Sequence, residues 1–150
     1  MYLLGMGAGV SISLAQPSGI AVEVLAGEPS SVNVYAGPDG AGFVAGIGRT
    51  QRGGVGTDYH FSLQVNSREW TRFQKVHAFW YYSLGTHAAF VRDEHRVGII
   101  APAGLRIGIN GRRSQRHEVF VEAGPVVDFT PGRSLVLAAG IGYRYYIEGP

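Results

Sequence analysis

The chain has no cysteine in its 150 residues. That excludes a disulfide framework, a thiolate zinc site and a thiol nucleophile. Charge is scarce as well: 16% of residues are Asp, Glu, Lys or Arg, against about 25% in an ordinary globular domain. Hydrophobic residues nevertheless make up 45%, so the composition is not that of a disordered chain. No run of about 18 apolar residues occurs, so no transmembrane helix is encoded. The opening Met1-Tyr2-Leu3-Leu4-Gly5 has no basic n-region, so it does not read as an ordinary signal peptide, and an exported form is expected to have lost its leader upstream. The net charge of +2 is too small for a polyanion-binding signature, and no nucleic-acid partner is expected.

Glycine is what the chain has in excess, 23 of 150 residues, about twice the usual ~7%. The glycines follow no period of three, which excludes a collagen-like chain. The length suits one domain over residues 1–150. Its dominant signal is a period of two, the mark of strands. In residues 57–66, Tyr59, Phe61, Leu63 and Val65 alternate with Asp58, His60, Ser62, Gln64 and Asn66. In residues 134–147, Leu135, Leu137, Ala139, Ile141, Tyr143, Tyr145 and Ile147 oppose a face of small and charged residues. The same alternation runs through residues 4–14, 20–26, 78–90, 97–109 and 118–129.

Breakers such as Gln16-Pro17-Ser18-Gly19, Gly27-Glu28-Pro29-Ser30, Asn110-Gly111 and Pro131-Gly132 separate these runs. No segment sustains a 3.6-residue period, so essentially no helix is expected, with one helical turn at most in residues 67–74. Residues 31–49 are the difficult stretch. The apolar parity switches across Gly37-Pro38-Asp39-Gly40, and the reading prefers one irregular or bulged strand there, for eight strands in all. A tight hairpin at that place gives nine.

Alternation alone fits two architectures. In a soluble, lipocalin-like ligand-binding barrel the leucine face fills the interior. In a membrane barrel it faces lipid, and the Gly, Ser and charged face fills the lumen. The second is favoured because the apolar faces stay free of charge for ten or more residues, enough when tilted to span roughly 25 Å of hydrocarbon. Aromatics also gather toward segment ends, where Trp80, Tyr82, Tyr143 and Tyr145 would anchor at the membrane interfaces. The fold expected is all-β: a closed antiparallel up-and-down transmembrane barrel of eight strands.

The segment 140–147, GIGYRYYI, resembles the closing strand of bacterial outer-membrane β-barrels. The stretches 97–110, VGIIAPAGLRIGIN, and 118–129, EVFVEAGPVVDF, resemble paired strands of a family of small, poorly characterised outer-membrane proteins. The resemblance covers residues 78–147 best, and departs at the end, where Ile147 is followed by Glu148-Gly149-Pro150. It implies a short barrel in the outer membrane of a Gram-negative-type bacterium, with membrane lipids and the outer-membrane assembly machinery as partners. Gly140, Gly142, Tyr143, Tyr145 and Ile147 would carry the assembly signal. The resemblance implies no reaction.

With the polar faces inward, the lumen collects Glu23, Asp58, Glu118, Glu122, Asp128, Arg106 and Arg144, with His60 and His87. A charge taken out of water costs several kcal/mol unless it is paired, so a network of Arg106, Glu118, Glu122 and Arg144 is expected, with Arg106, Glu122 and Arg144 as a cross-strand ladder. An eight-stranded barrel is just filled by its own side chains. The expected role is structural and membrane-anchoring, as a subunit of a larger envelope assembly; a narrow channel for ions or small solutes is the alternative.

No enzyme activity is expected, because the His60-Phe61-Ser62 pair reads as lumenal and away from any lipid substrate. Gly5-Met6-Gly7-Ala8-Gly9 has no helix behind it to make a phosphate loop. His77 and His87 stand too far apart for one metal ion, so neither a metal nor another cofactor is expected. Outward loops are expected near residues 16–19, 50–56, 93–95 and 130–133, all short. The longer periplasmic turns near 67–74 and 112–117 are basic, and charge reversal at Arg112 and Arg113 is expected to release any envelope protein docked there.

Overall fold

The computed structural model describes residues 19–37, 41–52, 54–73, 76–109 and 117–148, with backbone alone over 66–73, 76–77, 109 and 148. The strands are β1 (Gly19–Gly27), β2 (Ser30–Gly37), β3 (Ala41–Thr50), β4 (Gly56–Phe73), β5 (Val76–Val91), β6 (Glu94–Ile100), β7 (Ala103–Ile109), β8 (His117–Asp128) and β9 (Ser134–Glu148). Among the described residues there is no helix. Every pairing is antiparallel. β6 and β7 both lie between β5 and β8 and are two halves of one stave. β1 pairs with β9, from Ile20↔Glu148 to Gly27↔Gly140, and closes the ring. The result is an all-β, closed, antiparallel barrel of eight staves.

The break in the sixth stave has a local cause. Ala101 N–H donates to Pro125 O at 3.1 Å and Ser83 N–H donates to Pro102 O at 2.8 Å. Neither proline has an N–H to return the bond, so the ladder is thinned there while the register carries on unchanged.

Two expectations are corrected. Residues 31–49 form not one irregular strand but the hairpin β2–β3, with Val32, Val34 and Ala36 paired to Ile47, Ala45 and Phe43. The parity switch across the glycine-proline turn is what keeps both apolar sets on one face. The stretch near 67–74, allowed one helical turn at most, forms none over its described part: β4 runs as strand through Phe73, opposite Val76. Gly19 does not lie with the turns at 51–55, 92–93 and 129–133; it opens β1 at the barrel end where β9 finishes, and 28–29 is the fourth turn at the other end. Residues 4–14 and Arg112 and Arg113 lie outside the described residues. The ring closes without 4–14, because β1 already has β2 and β9 on its two sides.

The polarity of the wall is inverted relative to a water-soluble barrel. Its outer face shows Val24, Val32, Phe43, Phe61, Leu84 and Ile141, among other large apolar side chains, and Leu135 and Leu137 are 74% and 75% exposed. Soluble monomers rarely carry a continuous apolar surface of this kind. The interior buries Glu23, Asn33, Asp58, Gln64, His87, Arg106, Glu118, Asp128 and Arg144. Two small apolar clusters complete it: Ala21, Tyr35, Val44 and Tyr146, and Leu25, Tyr81 and Phe120.

The excess glycine belongs to this interior. A Cβ on Gly42 would overlap the Tyr35 ring, and one on Gly142 the Phe120 ring. Small residues on one stave thus make the space that a large side chain of the next stave fills, which is how a narrow barrel packs its lumen.

Candidate functional site

The inward residues are not scattered. Glu118 on β8 lies opposite Arg144 on β9, and Arg144 opposite Glu23 on β1. The row of lateral pairs continues through Asn33, Gly46, His60, His87 and Gly98, one on each successive stave, and returns to β8 at Asp128. Because strands in a closed barrel are tilted and staggered, a single row of neighbours climbs the wall and meets its own strand again higher up. Every member of the row except its two glycines is polar. The lumen therefore contains a spiral polar seam from one end of β8 to the other.

At the lower end Arg144 is the hub. One guanidinium nitrogen contacts Glu23 Oε1 and donates to Gln64 Oε1 at 2.7 Å, from the far side of the lumen. The other donates to the Tyr146 hydroxyl at 3.2 Å and lies 3.7 Å from Glu118 Oε2. The guanidinium also sits 4.2 Å from the centroid of the Tyr35 ring, within cation–π range. Arg106 lies 3.2 Å from Glu118 Oε2, and Asn33 Nδ2 donates to Glu23 Oε2 at 3.3 Å. Opposite charges held this close, with further hydrogen bonds, offset the cost of burying them.

At the upper end His87 is the bridge. Its Nδ1 lies 3.1 Å from Asp58 Oδ2 and its Nε2 2.8 Å from Asp128 Oδ1. An imidazole protonated on both nitrogens donates to both carboxylates. Ser134 Oγ donates to Asp128 Oδ2 at 2.8 Å, and Arg52 reaches across the mouth to within 3.7 Å of the same oxygen.

Between the two clusters lies a cavity of about 50 Å³, lined by Glu23, Asn33, His60, Ser62, Tyr81 and Glu122 among others. Leu25, Val44 and Phe120 complete its lining, and it has room for a few waters. His60 and Ser62 face this lumen side of the wall. Among the described residues, no group of three His, Cys, Asp or Glu side chains is arranged to hold a metal ion.

Of the four residues read as the lumen network, the structure brings Arg106, Glu118 and Arg144 together. Glu122 stands apart from them. It lies opposite Gly140 rather than Arg144 and accepts a 2.6 Å hydrogen bond from the Tyr81 hydroxyl instead. Glu23, Gln64 and the His87 bridge were not foreseen as partners. Counting register around the ring would have found Glu23 opposite Arg144, but Gln64 meets Arg144 only because the lumen is narrow enough to be crossed.

Trp80, Tyr82, Tyr143 and Tyr145 lie on the outer face, 50%, 58%, 42% and 36% exposed, toward the end that holds Gly19 and Glu148. Tyr59, Phe90 and Phe129 stand outward near the opposite end. On β9, Gly140 and Gly142 face inward against Leu25 and Phe120, and Tyr143, Tyr145 and Ile147 face outward.

The sequence matches no protein-family model and no curated protein. Among solved structures, the fold is similar to the crystal structure of the N-terminal β-barrel domain of Pseudomonas aeruginosa OprF, with a TM-score of 0.52 and 11% identity over 88% of this chain and 98% of that one. At that identity the two share a fold, a closed eight-stave antiparallel barrel.

Proposed function

We propose that the chain is an integral barrel of the outer membrane of a Gram-negative-type bacterium. Its role is structural and membrane-anchoring, within a larger envelope assembly. The observation that carries this reading is the inverted wall, with a charged, hydrogen-bonded interior and an outer surface of large apolar side chains. Water would leave that surface exposed, and a bilayer covers it. The likeness to the barrel domain of OprF supports the same setting. Short connections at 28–29 and 92–93 leave little exposed loop with which to grip a large ligand, which favours anchoring over reception. The reading assigns the chain no reaction.

The test is mobility on a gel after detergent extraction. A membrane barrel stays folded in cold SDS and shifts on boiling, with β-rich circular dichroism in detergent. A chain that dissolves without detergent and shows no shift overturns the proposal.

A narrow channel is the second reading, favoured by the cavity between the two clusters, which Glu23, His60 and Glu122 help to line. Arg144 bound to Gln64 across the lumen blocks a wide path. A channel would show a small conductance in planar bilayers that changes on Glu122→Gln; an anchoring barrel shows none.

A further inference from the structure

The upper mouth of the barrel carries a feature that neither anchoring nor a plugged lumen requires. A cleft of about 370 Å³ opens there, lined by Arg52, Arg96, Arg133, Thr130 and Ser134 above Asp128 and Glu94. Its three arginines come from three separate places in the chain: the β3–β4 turn, the start of β6 and the β8–β9 turn. The side chains of Arg52 and Arg96 are only 19% and 18% exposed.

The nearby acids are already engaged. Asp128 accepts from Ser134 and meets His87. Glu94 is paired with Arg96 at 3.1 Å. Glu28, at the same end, accepts from the Gln51 amide at 3.0 Å and from the Thr50 hydroxyl. Arg52 and Arg96 each hold one acid, Asp128 and Glu94, which leaves the cleft one positive charge in excess. Arg52 Nη1 is buried without a hydrogen-bond partner, and Arg133 has no partner among the described residues. A buried guanidinium N–H without an acceptor costs free energy. Convergent arginines match the several oxygens of a phosphate group better than a single-point anion.

We infer that this mouth is a binding site for a phosphate-type oxyanion, gripped by Arg52, Arg96 and Arg133. The phosphate comes either from a small solute, as inorganic phosphate or a phosphate monoester, or from a lipid headgroup. The aromatic residues Tyr59 and Phe90 on the outer wall at this end place the cleft near headgroup level. The headgroup source rests on the membrane reading above, whereas binding of a soluble phosphate does not.

The experiment follows the arginine Nε resonances of the full chain by ¹⁵N NMR. One arm adds inorganic phosphate to the protein in detergent, with chloride as the control. The other compares nanodiscs of phosphatidylcholine with and without phosphatidic acid. The expected result is a saturable shift of the Arg52, Arg96 and Arg133 resonances. A shift in the first arm assigns the site to soluble phosphate, and a shift in the second arm alone assigns it to the headgroup. Affinity should fall at least tenfold in the double variant R96Q/R133Q, which spares the Arg52–Asp128 contact, and should hold in R112Q/R113Q. Heat-modifiable mobility confirms that each variant is folded. No shift of these three resonances in either arm overturns the inference. So does unchanged affinity in R96Q/R133Q.

Discussion

His87 on β5 meets Asp128 on β8 at 2.8 Å across the full width of the stave between them, and Gly98 is the residue it passes over. A Cβ on Gly98 would lie 2.8 Å from His87 Nε2 and would also overlap the carbonyl of Val127, which is backbone and cannot swing aside. Gly98→Ala should therefore push the imidazole off Asp128 and leave a buried carboxylate short of a donor. The expected loss is about 2–3 kcal/mol, combining overpacking with a broken hydrogen bond. Urea unfolding from lipid vesicles measures it, and an unshifted midpoint would show that the bridge does not depend on the glycine.

Arg144 is surrounded by two carboxylates, Glu23 and Glu118, whose burial it makes tolerable. Arg144→Met removes the cation and leaves both acids in the lumen. The expected loss is about 3–5 kcal/mol, the usual cost of breaking a buried pair. If the cause is the uncompensated charge, adding Glu23→Gln to the same chain should recover most of it, because Arg106 still pairs with Glu118. A double variant as unstable as the single one would assign the loss to packing of the guanidinium on Tyr35 instead.

Glu122 depends on one hydroxyl. Tyr81→Phe deletes the donor that Glu122 Oε2 accepts from at 2.6 Å and leaves the ring in place beside Gly104. A hydrogen bond to a charged group contributes roughly 1.5–3 kcal/mol, so the variant should unfold at correspondingly lower urea. In the background Glu122→Gln the same substitution should cost less than half as much. Equal costs in both backgrounds would mean that the two side chains are not coupled.

The alternation along 57–66 and 134–147 makes the barrel legible from the residue order alone, because a period of two with one apolar face admits few other folds. Which faces turn inward is legible too, from the scarcity of charge. The partners inside are harder. Arg106, Glu118 and Glu122 invite pairing by type, yet the register of the β8–β9 hairpin puts Glu118 opposite Arg144 and leaves Glu122 opposite Gly140. That register is set by the turn at 129–133 and not by residue type. The β2–β3 hairpin hid for a different reason. Its turn residues, Gly37-Pro38-Asp39-Gly40, were visible, but a parity switch reads equally as a bulge until Val34 is seen opposite Ala45. The upper mouth is not legible in the sequence because Arg52, Arg96 and Arg133 line one cleft only once three distant parts of the chain are folded together.

The outer wall gives the sharpest test of its surroundings. Ile141 stands outward near the middle of β9 and is 55% exposed, while Leu135 stands outward near the upper end of the same strand and is 74% exposed. On a surface facing water, an arginine at either place changes stability by no more than about 0.5 kcal/mol. On a surface facing lipid the cost depends on depth. It is about 2–4 kcal/mol at the bilayer midplane and falls to about 0–1 kcal/mol near the interface, where the guanidinium can reach the headgroups. Ile141→Arg should thus destabilise the barrel strongly in vesicles and Leu135→Arg weakly, although Leu135 is the more exposed of the two. Urea unfolding of both variants from phosphatidylcholine vesicles reads the difference. Equal, small effects would place both residues in water and overturn the lipid-facing reading of the outer wall.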